Sequence, residues 1–179
     1  MSQRFLNLIR SGETAEVAAV AEEDPSLVAC RDAQGVSAFL WSIYSRQPLI
    51  RDFLLQHLPS LDIFEVSALG DCDRIESLLR QDAMLVHESS ADGWAPLHLA
   101  AAFGGPRATA LLLVHGAHVH RFSRNPMHNQ PLHACIALSQ DCERTTHHHG
   151  DYTGRSLDSH RVPGKKKGYT TADSGKASF

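Results

Sequence analysis

Apolar and small residues recur at helical spacing in two runs near the middle of the chain. The first is Pro96-Leu97-His98-Leu99-Ala100-Ala101-Ala102-Phe103 and the second is Leu111-Leu112-Leu113-Val114. Asp92-Gly93-Trp94-Ala95 leads into the first run, Gly104-Gly105-Pro106 separates the two, and Gly116-Ala117 closes the second. This order predicts a turn, a short helix, a tight loop, a second helix and a glycine stop. Gly93 permits a turn conformation that other residues resist. Pro96 and Pro106 suit the first turn of a helix, where the missing N–H costs nothing. Three successive alanines favour helix and let a neighbouring helix approach closely. Leu111, Leu112 and Leu113 are expected to form the buried stripe, each worth about 1.5–3 kcal/mol when fully buried. A helix pair of this size cannot bury its own apolar face, so neighbours must exist.

Self-similarity supplies those neighbours. Pro96-Leu97-His98 returns as Pro131-Leu132-His133, 35 positions on, and His115-Gly116 returns as His149-Gly150, 34 positions on. A second match runs upstream at an offset of 58: Gly12 with Gly70, Asp24 with Asp82, Leu27-Val28 with Leu85-Val86, Ala33 with Ala91 and Gly35 with Gly93. Val17 also meets Ile75, and Val20 meets Leu78. That offset is too long for one such unit and suits two shortened ones. The expected units are 3–34, 35–63, 64–92, 93–127 and an incomplete one over 128–144.

The unit at 93–117 resembles the ankyrin repeat family. The family pattern is Gly-x-Thr-Pro-Leu-His, two small residues, a glycine, then Leu-Leu and Gly-Ala. Here Ala95 stands where Thr is usual and Gly105 where His is usual. The unit from 128 keeps Pro131-Leu132-His133 but has Ser139 for the loop glycine, and the first three units are degenerate. The resemblance implies an all-α fold, an ankyrin-repeat solenoid of four to five helix-turn-helix units with short turns in place of strands. It implies a non-catalytic scaffold that binds another protein on its concave face, with no cofactor. Carried onto this chain, that surface comprises Ala91, Asp92, Trp94, Ala102, Phe103 and Phe122, with Gln34, Val36 and Tyr44 before them and Asn129, Ala137 and Leu138 after. Arg121 and Arg124 flank Phe122, and aromatics with arginine are enriched among binding hot spots. A packing role competes with this for each residue, with Trp94 and Phe122 filling adjacent turns and Phe103 a gap between units. His98 and His133 read as helix-start histidines bonded to backbone rather than as bases or metal ligands.

Composition narrows the class. The chain has 179 residues, 42% of them apolar, and no apolar run approaches the ~20 residues of a membrane span. The N-terminus has no long apolar segment of the signal-peptide type. Cys30, Cys72, Cys135 and Cys142 are scattered without a CxxC pair, so reduced thiols in a cytoplasmic protein are expected. Residues 1–144 hold 11 arginines, no lysine and 17 acids, a charge of −6, whereas 145–179 hold 6 basic and 3 acidic residues, a charge of +3. An acidic body without lysine does not suit nucleic acid. A monomer away from membranes is expected.

After Arg144 the pattern fails. Thr146 and His147 occupy the positions where a leucine pair belongs, and the last 35 residues contain only seven apolar or aromatic ones. Such a segment cannot form a buried face, so a disordered or weakly structured tail is expected over 145–179. Three accounts of it stay open: a native tail, a shifted-frame remnant of a lost repeat, or a basic, His-rich segment that engages an anionic surface or a metal. The histidines at 147–149, with His160, His115, His118, His120 and His128, lack the compact four-ligand spacing of a structural zinc site. Gly164-Lys165-Lys166-Lys167-Gly168 misses the spacing of a phosphate loop. No nucleophile-base set or carboxylate pair stands out, so an enzyme is not expected. If the tail is foreign to the fold, the last unit exposes Leu132, Ile136 and Leu138, an aggregation or partner-binding liability. Terminal repeats normally present a polar outer face.

Overall fold

The computed structural model describes residues 1–136. The expectations for the tail at 145–179, for Ala137 and Leu138, and for the histidines at 147–149 lie outside the described residues. Among the described residues there are eight α-helices and no strand. The helices are α1 (Ser2–Ser11), α2 (Thr14–Glu23), α3 (Ala38–Tyr44), α4 (Pro48–His57), α5 (Ile63–Leu69), α6 (Cys72–Gln81), α7 (Pro96–Leu99) and α8 (Gly105–Val114). Tight 3-10 turns at Pro25–Ala29 and Ala83–His87 follow α2 and α6. Residues 131–136 are also helical. Short turns stand in place of strands, with one isolated bridge between Arg31 and Ser37.

Odd-numbered helices pack side by side in the order α1, α3, α5, α7. Each also packs on the even-numbered helix that follows it, and α2 packs on α4 as α6 does on α8. This is a two-row stack of helical hairpins, an inner row and an outer row.

The 58-residue offset is physical. Shifted by 58, α2 falls on α6 and the turn Pro25–Ala29 falls on Ala83–His87. Asp24 and Asp82 each begin the 3-10 turn by accepting a backbone hydrogen bond two residues on, from Ser26 N and Met84 N. Such a cap is worth roughly 0.5–2 kcal/mol. Gly12 and Gly70 end α1 and α5 in the left-handed region, at φ 82° and 78°. Buried positions also correspond: Phe5 with Ile63, Val17 with Ile75, Ala21 with Leu79, Val28 with Val86, Phe39 with Leu97, Ile50 with Ala108, and Leu54 with Leu112. Two core clusters result, one for each pair of hairpins. A third, made of Val36, Leu40, Ala68 and Leu99, runs along the inner row and joins them.

The run Pro96–Val114 is long and apolar enough in composition to cross a membrane. It is not one straight helix. Ala100–Gly104 wind as a wider π-type turn, in which Gly105 N donates to the Ala100 carbonyl. Gly105 then sits at φ 82°, ψ −179°, which reverses the chain into α8. The leucine stripe is narrower than expected. Leu112 is fully buried, Leu111 is half-buried and Leu113 is 41% exposed. Consecutive residues on a helix point about 100° apart, so three adjacent leucines cannot share one face.

Candidate partner-binding face

Two turns project beside the inner row, and each is held by a side chain at one position. In the first, Asp32 Oδ1 accepts from Gln34 N and Val36 N. In the second, 58 residues on, Ser90 Oγ accepts from Trp94 N. A third turn repeats the device, with Ser123 Oγ accepting from Asn129 N. The short link 58–62 between α4 and α5 leaves no room for such a turn. The first two turns therefore meet directly: a Cβ built on Gly35 would lie 2.7 Å from Ala91 Cβ. The third packs on the second through Arg124 N, which donates to the Gly93 carbonyl at 2.8 Å.

Polar clamps at the third helical position hold the inner helices to the turns. His98 Nδ1 accepts from Ala95 N at 3.4 Å, and Nε2 lies 2.9 Å from the Asn129 carbonyl of the next turn. His133 makes the equivalent contact with Gln130 N. These histidines are structural, as the sequence suggests. Burial holds His98 below its ordinary pKa, so it is neutral near pH 7. In α5 the same position is Glu65, a substitution that hid this unit from the sequence pattern. Glu65 accepts from Asp62 N at 2.9 Å and from the Ser37 hydroxyl of the preceding unit. Burial, then the neighbouring Asp62 carboxylate, push Glu65 above the usual carboxylate range.

The inner row carries a ladder of rings. The Arg10 guanidinium lies 3.7 Å over the Trp41 ring. Trp41 meets Tyr44 edge-on at 5.8 Å, and Tyr44 stacks on Phe103 at 5.5 Å. Trp94 and His98 lie 5.5 Å apart, ring to ring. Carboxylates from the turns anchor the ladder. Asp32 accepts from Trp41 Nε1 at 2.9 Å, and Asp92 accepts from the Tyr44 hydroxyl at 2.9 Å and from Ser90 Oγ. Burial and the Asp92 charge push the Tyr44 phenol far above its ordinary pKa, so it stays a donor.

Tyr44, Trp94, Ala102 and Phe103 converge on one groove of about 250 Å³, which Leu99, Met127 and Ala134 also line. Asp92 acts on this groove through Tyr44. Arg124, with Gln34, Ala91 and Asp92, lines a separate crevice along the turn tips. Asn129 also lines the groove, whereas Val36, expected on the surface, is buried in the core of the inner row. Arg121 and Phe122 are engaged elsewhere. Arg121 donates to the His87 carbonyl and to Ser89 Oγ, tying the third turn to the preceding 3-10 turn. Phe122 stacks on His128 at 4.6 Å and is 46% exposed. Arg10 and Trp41 were missed by the sequence reading. The available signal was the spacing of Trp41 and Tyr44, three residues apart on one helical face.

Residues 92–124 match the family model of the ankyrin repeat. They form an ankyrin repeat. The match spans the second turn, α7, α8 and the start of the third turn, so the ankyrin unit contributes Trp94, Ala102 and Phe103 to the groove. No curated protein matches the chain. Ankyrin repeats in general mediate binding to other proteins and are not enzymes.

Proposed function

We propose that this chain is a non-catalytic scaffold that binds another protein along the inner helices and turn tips, seating one apolar side chain of its partner in the groove. The observation that carries this reading is the lining: Tyr44, Trp94, Leu99, Ala102, Phe103 and Met127 present apolar surface. The polar groups at its edge are committed internally, Tyr44 to Asp92 and His98 to backbone on both sides. Such a groove recognises by shape and apolar contact. Tyr44, held by Asp92 and stacked on Phe103, loses little entropy on binding, which suits a hot spot. Turn-tip residues Arg124, Asp92 and Gln34 then read the polar part of the partner. The free thiols of Cys30, Cys72 and Cys135 fit a reducing, cytoplasmic setting.

A displayed peptide library selected on the full chain tests this. Binders should lose affinity by at least about tenfold on Trp94→Ala or Phe103→Ala, a loss of about 1.4 kcal/mol or more. They should be unaffected by Glu16→Ala on the outer row. Binders that ignore both groove substitutions would refute the proposal.

A further inference from the structure

The inner helices α1, α3 and α5 stop in the same way. Glu13 N donates to the Leu8 carbonyl, Gln47 N to that of Ser42 and Asp71 N to that of Val66, each five residues back. This closing bond goes with a left-handed residue just before the donor. Glycine supplies it at Gly12 and Gly70, with φ 82° and 78°. At the end of α3 the residue is Arg46, with φ 55°. A side chain is disfavoured in that conformation, and glycine is the usual occupant. Strain of this kind persists where the surrounding fold holds it, and it gathers at ligand-contacting positions. The arginine is therefore kept at a cost to stability that its two counterparts avoid.

Arg46 lines a cavity of about 360 Å³ together with Arg51 of α4, and Ile43, Leu69 and Phe103 supply apolar walls. Among the described residues no carboxylate lines it. Arg46 is exposed. Arg51 leans on the adjacent Asp52 through Nε and Nη2, and both side chains are partly exposed. An ion pair in that setting is weak and screened, so it does not remove Arg51 from the cavity's charge. Phe103 also lines the aromatic groove, so a single ring is a wall of both cavities. The groove itself is lined by no Asp, Glu, Lys or Arg. Two neighbouring cavities thus differ in character, one apolar and one cationic.

We propose that the cationic cavity is a second pocket of the partner-binding face, and that it takes the carboxylate of an aspartate or glutamate two residues from the apolar side chain seated in the groove. This rests on the reading of the groove as the partner-binding site. Alternate side chains of an extended segment point the same way about 7 Å apart, a step that clears a wall one ring thick. Adjacent side chains point to opposite sides and do not reach both cavities. The acidic head meets Arg46 and Arg51 in charge-assisted hydrogen bonds, which are stronger than neutral ones. Its methylenes lie against Ile43 and Leu69. Lysine at that place would be set against two guanidinium groups, so this pocket selects by charge where the groove selects by shape.

The probe is a displayed library of short peptides with one fixed leucine and every other position random, selected on the full chain. Binders should carry Asp or Glu two positions from the leucine. A selected peptide is then labelled and titrated by fluorescence anisotropy. Arg51→Glu should weaken it at least about tenfold, and replacing the peptide's acid by lysine should restore affinity for that variant. Arg46→Gly moves two readouts in opposite directions: the urea midpoint rises as the backbone strain is relieved, and peptide affinity falls. A lower midpoint with unchanged affinity would mean that Arg46 serves the fold alone, and it overturns the proposal. Binders that weaken on Trp94→Ala but lack an acid at that spacing, or that ignore Arg51→Glu, overturn the second pocket and leave the groove reading intact. Binders that ignore Trp94→Ala overturn both.

Discussion

The hairpin pair at 1–58 and the pair at 59–116 share helix order, the Gly12/Gly70 stops, the Asp24/Asp82 caps and buried positions, yet only the second contains a match to the ankyrin pattern. The difference lies in how each fills its core. The first pair uses large side chains, with Phe39 and Ile50 fully buried. At the same places the second uses Leu97 and Ala108, and its helices close on small residues. A Cβ on Gly70 would lie 2.3 Å from the Gly104 carbonyl oxygen, whereas one on Gly12 meets only the flexible end of Gln47 at 2.8 Å. The familiar motif is therefore one way of packing this architecture. Turn chemistry, caps and apolar register are what the two halves hold in common.

The largest effects should come from exchanging the core solutions. Ile50→Ala should destabilise the chain by about 2–5 kcal/mol by leaving a cavity, and Ala108→Ile by about 1–3 kcal/mol through overpacking, both read by urea unfolding. Next come the matched glycines. Both lie at positive φ, so alanine costs roughly 1–2 kcal/mol at either site. Gly70→Ala adds a backbone clash worth about 1–3 kcal/mol more. Equal losses at the two sites would show that the halves pack alike there. Asp24→Ala and Asp82→Ala should then cost about 1 kcal/mol each and agree closely, because both remove the same cap.

The smallest effect is pH dependence, and its sign differs between the clamps. His98 is depressed, so the stability it contributes is present above its ordinary value of 6.5 and is lost as pH falls through its folded value. Glu65 is raised, so its contribution is present below its ordinary value of 4.5 and is lost as pH rises through its folded value. Glu65→Gln keeps an acceptor for Asp62 N and removes the charge. The variant should gain on the parent as pH rises from 4.5 through the folded value of Glu65, with a constant advantage above it. Urea midpoints from about pH 4 to about pH 8 read this directly. A gap that stays flat across that range would mean that Glu65 is not raised.

Much of the fold was legible because it rests on local chemistry. Gly12, Asp24, Gly35 and their partners 58 residues on mark turns and caps, and these signals need no knowledge of packing. The groove was legible in part. Tyr44, Trp94, Ala102 and Phe103 follow from the positions that ankyrin units leave open, and the structure brings them together. Arg10 and Trp41 come from degenerate units whose motif is lost, so no register pointed to the ladder they begin. Arg121 illustrates the opposite limit. Its spacing suits the face, but partners 30 or more residues away in sequence, His87 and Ser89, hold it in a packing role. Sequence spacing identifies which residues share a side. It does not show which contacts they satisfy first.

The central claim is that the degenerate first pair is built like the second. Amide hydrogen exchange across the full chain, followed by mass spectrometry, tests it most directly. The account predicts matched protection in α1 and α5, in α2 and α6, in α3 and α7, and in α4 and α8, with faster exchange at 131–136. Rapid exchange throughout 1–58 beside a protected 59–116 would contradict it.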